Sequence, residues 1–423
     1  MKNVPDLTNA LTNQKINNMK NQTKSPDEEL ISAMGKKSHD RIRFRSVIDL
    51  HDKAVKRMSG DATTYANRAI AICFGVHTGE LDISDIDQCA LDVDRALKLN
   101  KNLPVVQIAE GCYHFYCMKD SIKAIASFTN ASKADPADYK PLFYLAMVYK
   151  ANGKWHDLHL LLGRLEKFNI QNPLDLTNIG LCYEYLHNFD RAIKFHNKAI
   201  VINSKWEAAY LNKLRALLLK EAKTSQARKV LTKLIKLTHE GHIQYQIMLN
   251  IYDRKYKKAY KEALNSIPYD FTWLGERCLH LGNISQLMND KEKAFKYFDC
   301  AIKELNLELN VNPDNAEIHS LIGLAHAGKC NKTEAVEEGE RALKIAVTQN
   351  NKILESEMRI NLTEIYTKVC MVTEAYKLIK DSLENPSLFS TKILQLDPVW
   401  ENLLNTPKMK KIIADNNNKV LTL

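Results

Sequence analysis

The chain has 423 residues, 45% of them hydrophobic and 26% charged, with a formal net charge of +10. That composition is ordinary for a folded protein, and the length holds either two or three globular domains or one long repeat array. No run approaches the roughly 18–20 apolar residues that span a bilayer, so membrane insertion is not expected. The first twenty residues contain no continuous apolar core, which argues against a secretory leader. The nine cysteines are scattered singly, with no CxxC pair. This pattern predicts reduced, half-buried thiols in a cytoplasmic protein rather than a disulfide framework.

In chain order, residues 1–24 are rich in Asn, Lys, Gln and Thr and bury too little apolar surface to offset ordering entropy; they read as a flexible tail. Residues 25–60 read as an N-terminal helical cap. Ser25-Pro26-Asp27-Glu28-Glu29 supplies an N-cap serine, a proline at the first helical position and acids in the first turn. A second helix follows from about Asp40 to Met58. From residue 61 to 389 the chain reads as about nine repeating units, loose at 61–99 and 241–271 and clearest at 105–206 and 275–389.

The repeat is explicit where registers begin at Val105, Tyr139 and Pro173, 34 residues apart. The eighth position is Cys112, Ala146 and Gly180, and the eleventh Phe115, Tyr149 and Tyr183. The twentieth is Ala124, Leu158 and Ala192, and the twenty-seventh Ala131, Leu165 and Ala199. Spacings of three and four place these residues on one face of each of two helices. Two antiparallel helices that cross closely need a small residue at the crossing and a larger one beside it. Neither helix pair buries its apolar face without a stacked neighbour. Residues 207–240 fit with one insertion, Ala227 taking the alanine position. The pattern returns with Leu281-Gly282, Ala294, Phe298 and Ala301. It continues with Ile322-Gly323, Ala335, Gly339 and Ala342, then with Leu362, Tyr366, Ala375 and Ile379. Residues 390–423 break the pattern. Asp397-Pro398 and Thr406-Pro407 each begin a short helix, carrying Trp400, Leu403 and Leu404 in the first and Met409, Ile412 and Ile413 in the second.

These small, aromatic and alanine positions at 34-residue spacing resemble the tetratricopeptide repeat family. The resemblance implies an all-α fold, a right-handed superhelical α-solenoid of tandem helix-turn-helix repeats. It also implies a non-catalytic scaffold or adaptor that binds an extended peptide or partner protein in a concave groove, without a cofactor. The terminal segment resembles the end cap of bacterial regulator arrays, which implies a bacterial signalling setting or a separately encoded signalling enzyme as partner. Carried over by repeat position, the groove would present Tyr113, Tyr116, Phe143, Tyr144, Met147, Lys150, Asn178, Glu184, Tyr185, Asn212 and Arg215. Tyrosine offers large contact area at low entropic cost, and asparagine can bond an extended backbone. The same tyrosines could instead pack between repeats. A carboxylate clamp is not supported: Asn67, Asn178 and Asn212 hold its amide position, but Val106 and Glu110 stand where cations would be needed.

A basic block is the other distinctive feature. Residues 205–262 carry 14 Lys and Arg against 5 Asp and Glu. Lys213, Lys220, Lys223, Arg228, Lys229, Lys233 and Lys236 lie in one unit, and Arg254, Lys255, Lys257 and Lys258 in the next. Such a block is either a solvated face or a patch for an acidic partner or a nucleic-acid backbone.

Other chemistry is not evident. Gly323 to Cys330 nearly spells a phosphate-binding loop. However, the last position is Cys rather than Ser or Thr, no strand precedes it, and Gly323 falls at a repeat crossing. His156 and His159, and His239 and His242, lack a third metal ligand in the sequence. No metal site is expected. No nucleophile–base arrangement stands apart from the repeat.

Overall fold

The computed structural model describes residues 41–266, 270–417 and 420–421, with side chains from residue 45. The expected tail and the helix start at Ser25 lie outside the described residues. The described residues contain α-helices and no β-strand.

The helix expected near 40–58 is α1 (Arg41–Arg57). Nine hairpins follow among the described residues. They are α2 (Ala62–His77) with α3 (Asp85–Asn100), α4 (Pro104–Cys112) with α5 (Ser121–Ala134), α6 (Lys140–Ala151) with α7 (Trp155–Leu165), and α8 (Pro173–Tyr185) with α9 (Phe189–Ile202). Next come α10 (Glu207–Lys220) with α11 (Ser225–Thr238), α12 (Ile243–Tyr252) with α13 (Tyr256–Asn265), and α14 (Leu274–Leu287) with α15 (Lys291–Leu309). The last are α16 (Ala316–Gly328) with α17 (Lys332–Thr348), and α18 (Lys352–Lys368) with α19 (Val372–Glu384). Short helices α20 (Thr391–Leu396), α21 (Glu401–Leu404) and α22 (Pro407–Asn416) end the chain, with a 3-10 turn at Pro398–Trp400. The contacts divide the chain into two compact units, residues 1–136 and 137–423.

Local chemistry accounts for the helix boundaries. Asn172 accepts hydrogen bonds from the backbone N–H groups of Leu174 and Asp175 ahead of Pro173, and Asn315 and Asn351 cap α16 and α18 in the same way. The turn inside a hairpin repeats a left-handed residue. Lys119, Gly153 and His187 stand 34 apart with φ of 56°, 68° and 56°, and Arg254, Asn289, Cys330 and Cys370 do the same in later hairpins. Only one of these is glycine, which hides this turn in the sequence.

The crossings follow the expected steric logic. A Cβ at Gly180 would lie 2.4 Å from Cε1 of His196, and one at Gly282 2.5 Å from the Phe298 ring. At Gly323 it would meet the Ala335 carbonyl and the Gly339 nitrogen, both at 3.1 Å. This confirms a crossing glycine rather than a phosphate loop, since α16 runs unbroken through it. One hairpin departs. After α4 the chain winds into a π-helical turn, Tyr113–Cys117. A π turn absorbs one extra residue. Upstream of it the small crossing position therefore falls on Gly111, whose Cβ would lie 2.5 Å from Phe128, and not on Cys112.

Cysteine usage also departs from the sequence reading. Cys278 of α14 and Cys300 of α15 face each other across one hairpin, Cα atoms 6.0 Å apart, and are joined as a disulfide. The terminal helices pack as a lid on the last hairpin. Trp400, Leu403, Met409 and Ile412 share one core with Leu362, Tyr366 and Ile379. Asp397 and Thr406 cap the two starts through Val399 N–H and Met409 N–H.

The crossing predicts a stability effect. Gly180→Ala places a methyl group against a buried imidazole that Glu184 holds in place. It should destabilise the chain by roughly 1–3 kcal/mol in urea denaturation. An unchanged midpoint would show that α8 and α9 do not cross at Gly180.

Candidate functional site

Within residues 137–423 the first helices of successive hairpins turn toward a shared interior. The turn is tight enough that α18 packs against α6, and Lys352 lies against Gly153. Several of the residues assigned to a groove do point inward. Glu357 of α18 lies near Tyr185, Arg215 and Lys150, and burial together with Glu317 raises its carboxyl. The opposite wall of the groove is thus the chain itself.

This closure buries part of the expected groove. Phe143, Tyr144, Met147, Glu184 and Tyr185 are all buried, Tyr185 to 1% exposure and Glu184 to 0%. They are packed rather than displayed, because the inner surface is covered by α18 and by the C-terminal segment. Asn178 donates to the Leu174 carbonyl of its own helix, and Asn212 accepts from Arg215. Tyr116 is buried against Phe74 and His77, with ring centroids at 5.1 and 4.7 Å. Tyr113 and Lys150 are partly exposed.

Glu184 anchors this inner wall. His196 Nε2 lies 2.8 Å from its Oε1, and Arg215 Nε donates to Oε2 at 2.8 Å. Burial pushes the Glu184 carboxyl up, but Arg215 and His196 outweigh it and hold it below the ordinary glutamate range.

The residues between α19 and α21 occupy the interior beside α8, α10 and α12. Ser387 N–H donates to the Tyr185 carbonyl at 3.2 Å, and His187 Nε2 lies 3.2 Å from the Ser387 carbonyl oxygen. Ser390 Oγ donates to Leu219 O at 2.7 Å. Arg254 donates to Leu396 O at 2.7 Å and pairs with Glu401 at 2.6 Å. Leu396 enters the core of Leu214, Leu218 and Leu249. None of these partners sits at a sequence spacing that signals the contact.

Below that segment lies a cavity of about 490 Å³ bordered by Tyr252, His280, Asn283, Glu364, Lys368 and Asp397. Lys368 donates to Asn283 at 2.8 Å and pairs with Glu364 at 2.9 Å. Burial, with Glu364 nearby, raises the Asp397 carboxyl to about 7. Burial also depresses His280.

The basic block divides in two. Lys220 pairs with Asp190, Arg228 and Lys255 with Asp253, Arg254 with Glu401, and Lys258 with Glu262. Lys213 is half-buried, and desolvation and Lys233 lower its ammonium. Lys223, Lys229, Lys233, Lys236, Lys257 and Lys261 are exposed, and no ion pair of theirs occurs among the described residues. On α11, Lys229, Lys233 and Lys236 follow at steps of four and three. On α13, Lys257 and Lys261 are four apart. Each set lies on one helix face.

The structure also gathers metal-type ligands that the sequence left apart. Glu207 and Glu240 come to His242, and Cys73, Cys89 and Cys117 come together in residues 41–136. His156 and His159 are exposed. No described helix is long and apolar enough to cross a membrane.

Two outcomes follow. Arg215→Met leaves Glu184 buried with His196 alone, and should cost about 3–5 kcal/mol at neutral pH. The depressed Glu184 carboxyl contributes stability above its unfolded pKa, lost as pH falls through the folded value. The variant's acid transition should therefore begin at higher pH. Equal acid transitions in urea melts would remove the pairing account. Asp397 has the opposite sign. Its raised carboxyl stabilises the fold below its unfolded pKa, and that contribution is lost as pH rises through about 7. Asp397→Asn should raise the melting temperature at pH 8 and much less at pH 5. A pH-independent difference would contradict the buried carboxyl.

No family model matches the chain. Anaphase-promoting complex subunit 3 of Schizosaccharomyces pombe is 24% identical over 127 residues, 30% of this chain, and the chain spans 19% of that relative's length. Among solved structures, a tetratricopeptide repeat protein from Parabacteroides merdae aligns with a TM-score of 0.46 at 14% identity, over 60% of this chain and 97% of the other. The APC/C hetero-tetramer Cut9–Hcn1 aligns with a TM-score of 0.46 at 15% identity, over 86% of this chain and 60% of the other. A human IFIT1 dimer with m7Gppp-AAAA aligns with a TM-score of 0.41 at 16% identity, over 80% and 75%. The described residues form an all-α array of tandem helical hairpins with small crossings and left-handed turns, similar in fold to the tetratricopeptide repeat protein above.

Proposed function

We propose that the chain is a non-catalytic scaffold that binds an acidic protein segment on the lysine rows of α11 and α13. The observation that carries this reading is the set of six exposed lysines without ion pairs among the described residues, on neighbouring hairpins. In the same block Arg215, Lys220, Arg228, Arg254, Lys255 and Lys258 are paired. Unpaired like charges held on rigid helices repel one another, and an acidic partner relieves that repulsion while gaining association rate.

The inner helices support the scaffold reading in a second way. The ends of α8 and α10 already hold a non-helical segment, residues 385–390, through backbone and side-chain hydrogen bonds. The extended-peptide reading of Asn178, Asn212 and Arg215 then requires that this segment give way. The exposed lysines require no such displacement.

A single-stranded nucleic acid would want aromatic rings beside the cations for base stacking. Tyr210, under Lys233, is 2% exposed, and Tyr260 is tied to Tyr297 by a 2.9 Å hydroxyl contact. The rows therefore favour an acidic polypeptide.

The test uses fluorescence anisotropy with a labelled Asp/Glu-rich peptide and a single-stranded RNA of equal charge. The expected result is peptide binding that weakens steeply with salt. Lys229→Glu, Lys233→Glu, Lys257→Glu and Lys261→Glu together should reduce it at least tenfold without loss of helix content. Peptide binding that ignores the fourfold change, or tighter binding of the RNA, would overturn the proposal.

A further inference from the structure

We propose that Cys73, Cys89 and Cys117 form a thiolate site for a d10 metal ion, zinc(II) or copper(I), in the hairpins of residues 62–134. The three sulfurs come from three separate elements. Cys73 lies in α2, Cys89 in α3, and Cys117 at the end of the π-helical turn. Sγ of Cys73 is 3.4 Å from that of Cys89 and 3.8 Å from that of Cys117, and all three lie within 4.8 Å of one another. An ion about 2.3 Å from each sulfur spans ligands roughly 3.8 Å apart in tetrahedral coordination. A flatter triangle of sulfurs suits three-coordinate copper(I), a soft ion that thiolates select.

The surroundings fit a bound cation rather than three inert thiols. Cys73 and Cys89 are fully buried, while Cys117 is partly open and gives an ion a way in. His77 stands one helical turn beyond Cys73, its ring tilted against Tyr116 with centroids 4.7 Å apart. Copper(I) needs the three sulfurs alone, and zinc would take a water as its fourth ligand from the partly open side. The π turn supplies the geometry. Its extra residue changes the register between Gly111 and Cys117 and so sets where the third sulfur points. Binding displaces one proton from each thiol that coordinates. Buried cysteine also serves as a small apolar residue, and that reading makes the opposite prediction.

The experiment takes the full chain, reduced, stripped with a chelator and desalted under nitrogen. Cobalt(II) is added as the spectroscopic probe, followed by zinc(II). Copper(I) is titrated separately against a chromophoric copper(I) chelator. The expected result is one ion per chain, with sulfur-to-cobalt charge-transfer bands and tetrahedral ligand-field bands that zinc abolishes. If copper is the natural ion, the copper arm instead shows one ion retained against the chelator. Cys117→Ser, at the partly open position, should weaken binding at least roughly tenfold while circular dichroism keeps its helix signal. The double variant Cys330→Ser with Cys370→Ser, both exposed in other hairpins, should bind as the parent does. Failure of both ions to bind would overturn the proposal. So would binding that survives Cys117→Ser or is lost in the Cys330/Cys370 variant.

Discussion

Four of the described hairpins close around a glycine where no side chain fits, at Gly111, Gly180, Gly282 and Gly323. At Gly111, Gly180 and Gly282 an added Cβ would fall within 2.5 Å of a ring on the second helix. That contact sets how near the two helices come, and so how each pair offers its apolar face to the next. Within residues 137–423 stacking then buries alanine, leucine and aromatic side chains, with Ala192, Ala227, Ala294, Ala335 and Ala375 at most 1% exposed. A helix pair alone cannot bury such a face, so each depends on its stacked neighbours.

Repetition of that contact has a long-range consequence in residues 137–423. A small rotation at each step brings α18 back onto α6 and closes the inner side. The closed interior concentrates charge. Glu184, Arg215, Glu357, Glu364, Lys368 and Asp397 all lie along it; burial raises the carboxyls of Glu357 and Asp397, whereas at Glu184 and Arg215 the charged partners outweigh burial. The C-terminal segment then has two roles. It covers the last hairpin through Trp400 and Met409, and it fills the space beside α8, α10 and α12.

The sequence displayed the part of this design that is local. Gly180, Ala192 and Ala199 lie within one hairpin, and the 34-residue offset recurs over residues 105–206. The second-helix alanines and the caps at Asp397 and Thr406 were legible for the same reason. Three features were not. The π turn at Tyr113–Cys117 carries no residue type that announces it, so the crossing falls on Gly111 where the register pointed to Cys112. The closure is a sum of small rotations, so Tyr144 and Tyr185 looked available to a peptide when they are packed. The three thiols stand far apart along the chain, with none of the short spacings that mark a metal motif. Antiparallel packing of α2 and α3 and the π turn bring them together. The exposed lysines of α11 and α13 were visible as a block, but their division into paired and unpaired cations depends on Asp190, Asp253 and Glu401, which the fold supplies.

Within residues 137–423 the chain's own segment, residues 385–396, occupies the inner side. Site-resolved hydrogen exchange on the intact protein tests it most directly. Ser387 N–H is bonded to the Tyr185 carbonyl, and Leu394 N–H to the Ser390 carbonyl within a segment packed against α10. Both amides should exchange far more slowly than those of an unstructured chain, and Ser390→Ala with Arg254→Ala should speed them while α9 stays protected. Exchange of Ser387 at the unstructured rate in the unaltered protein would contradict it.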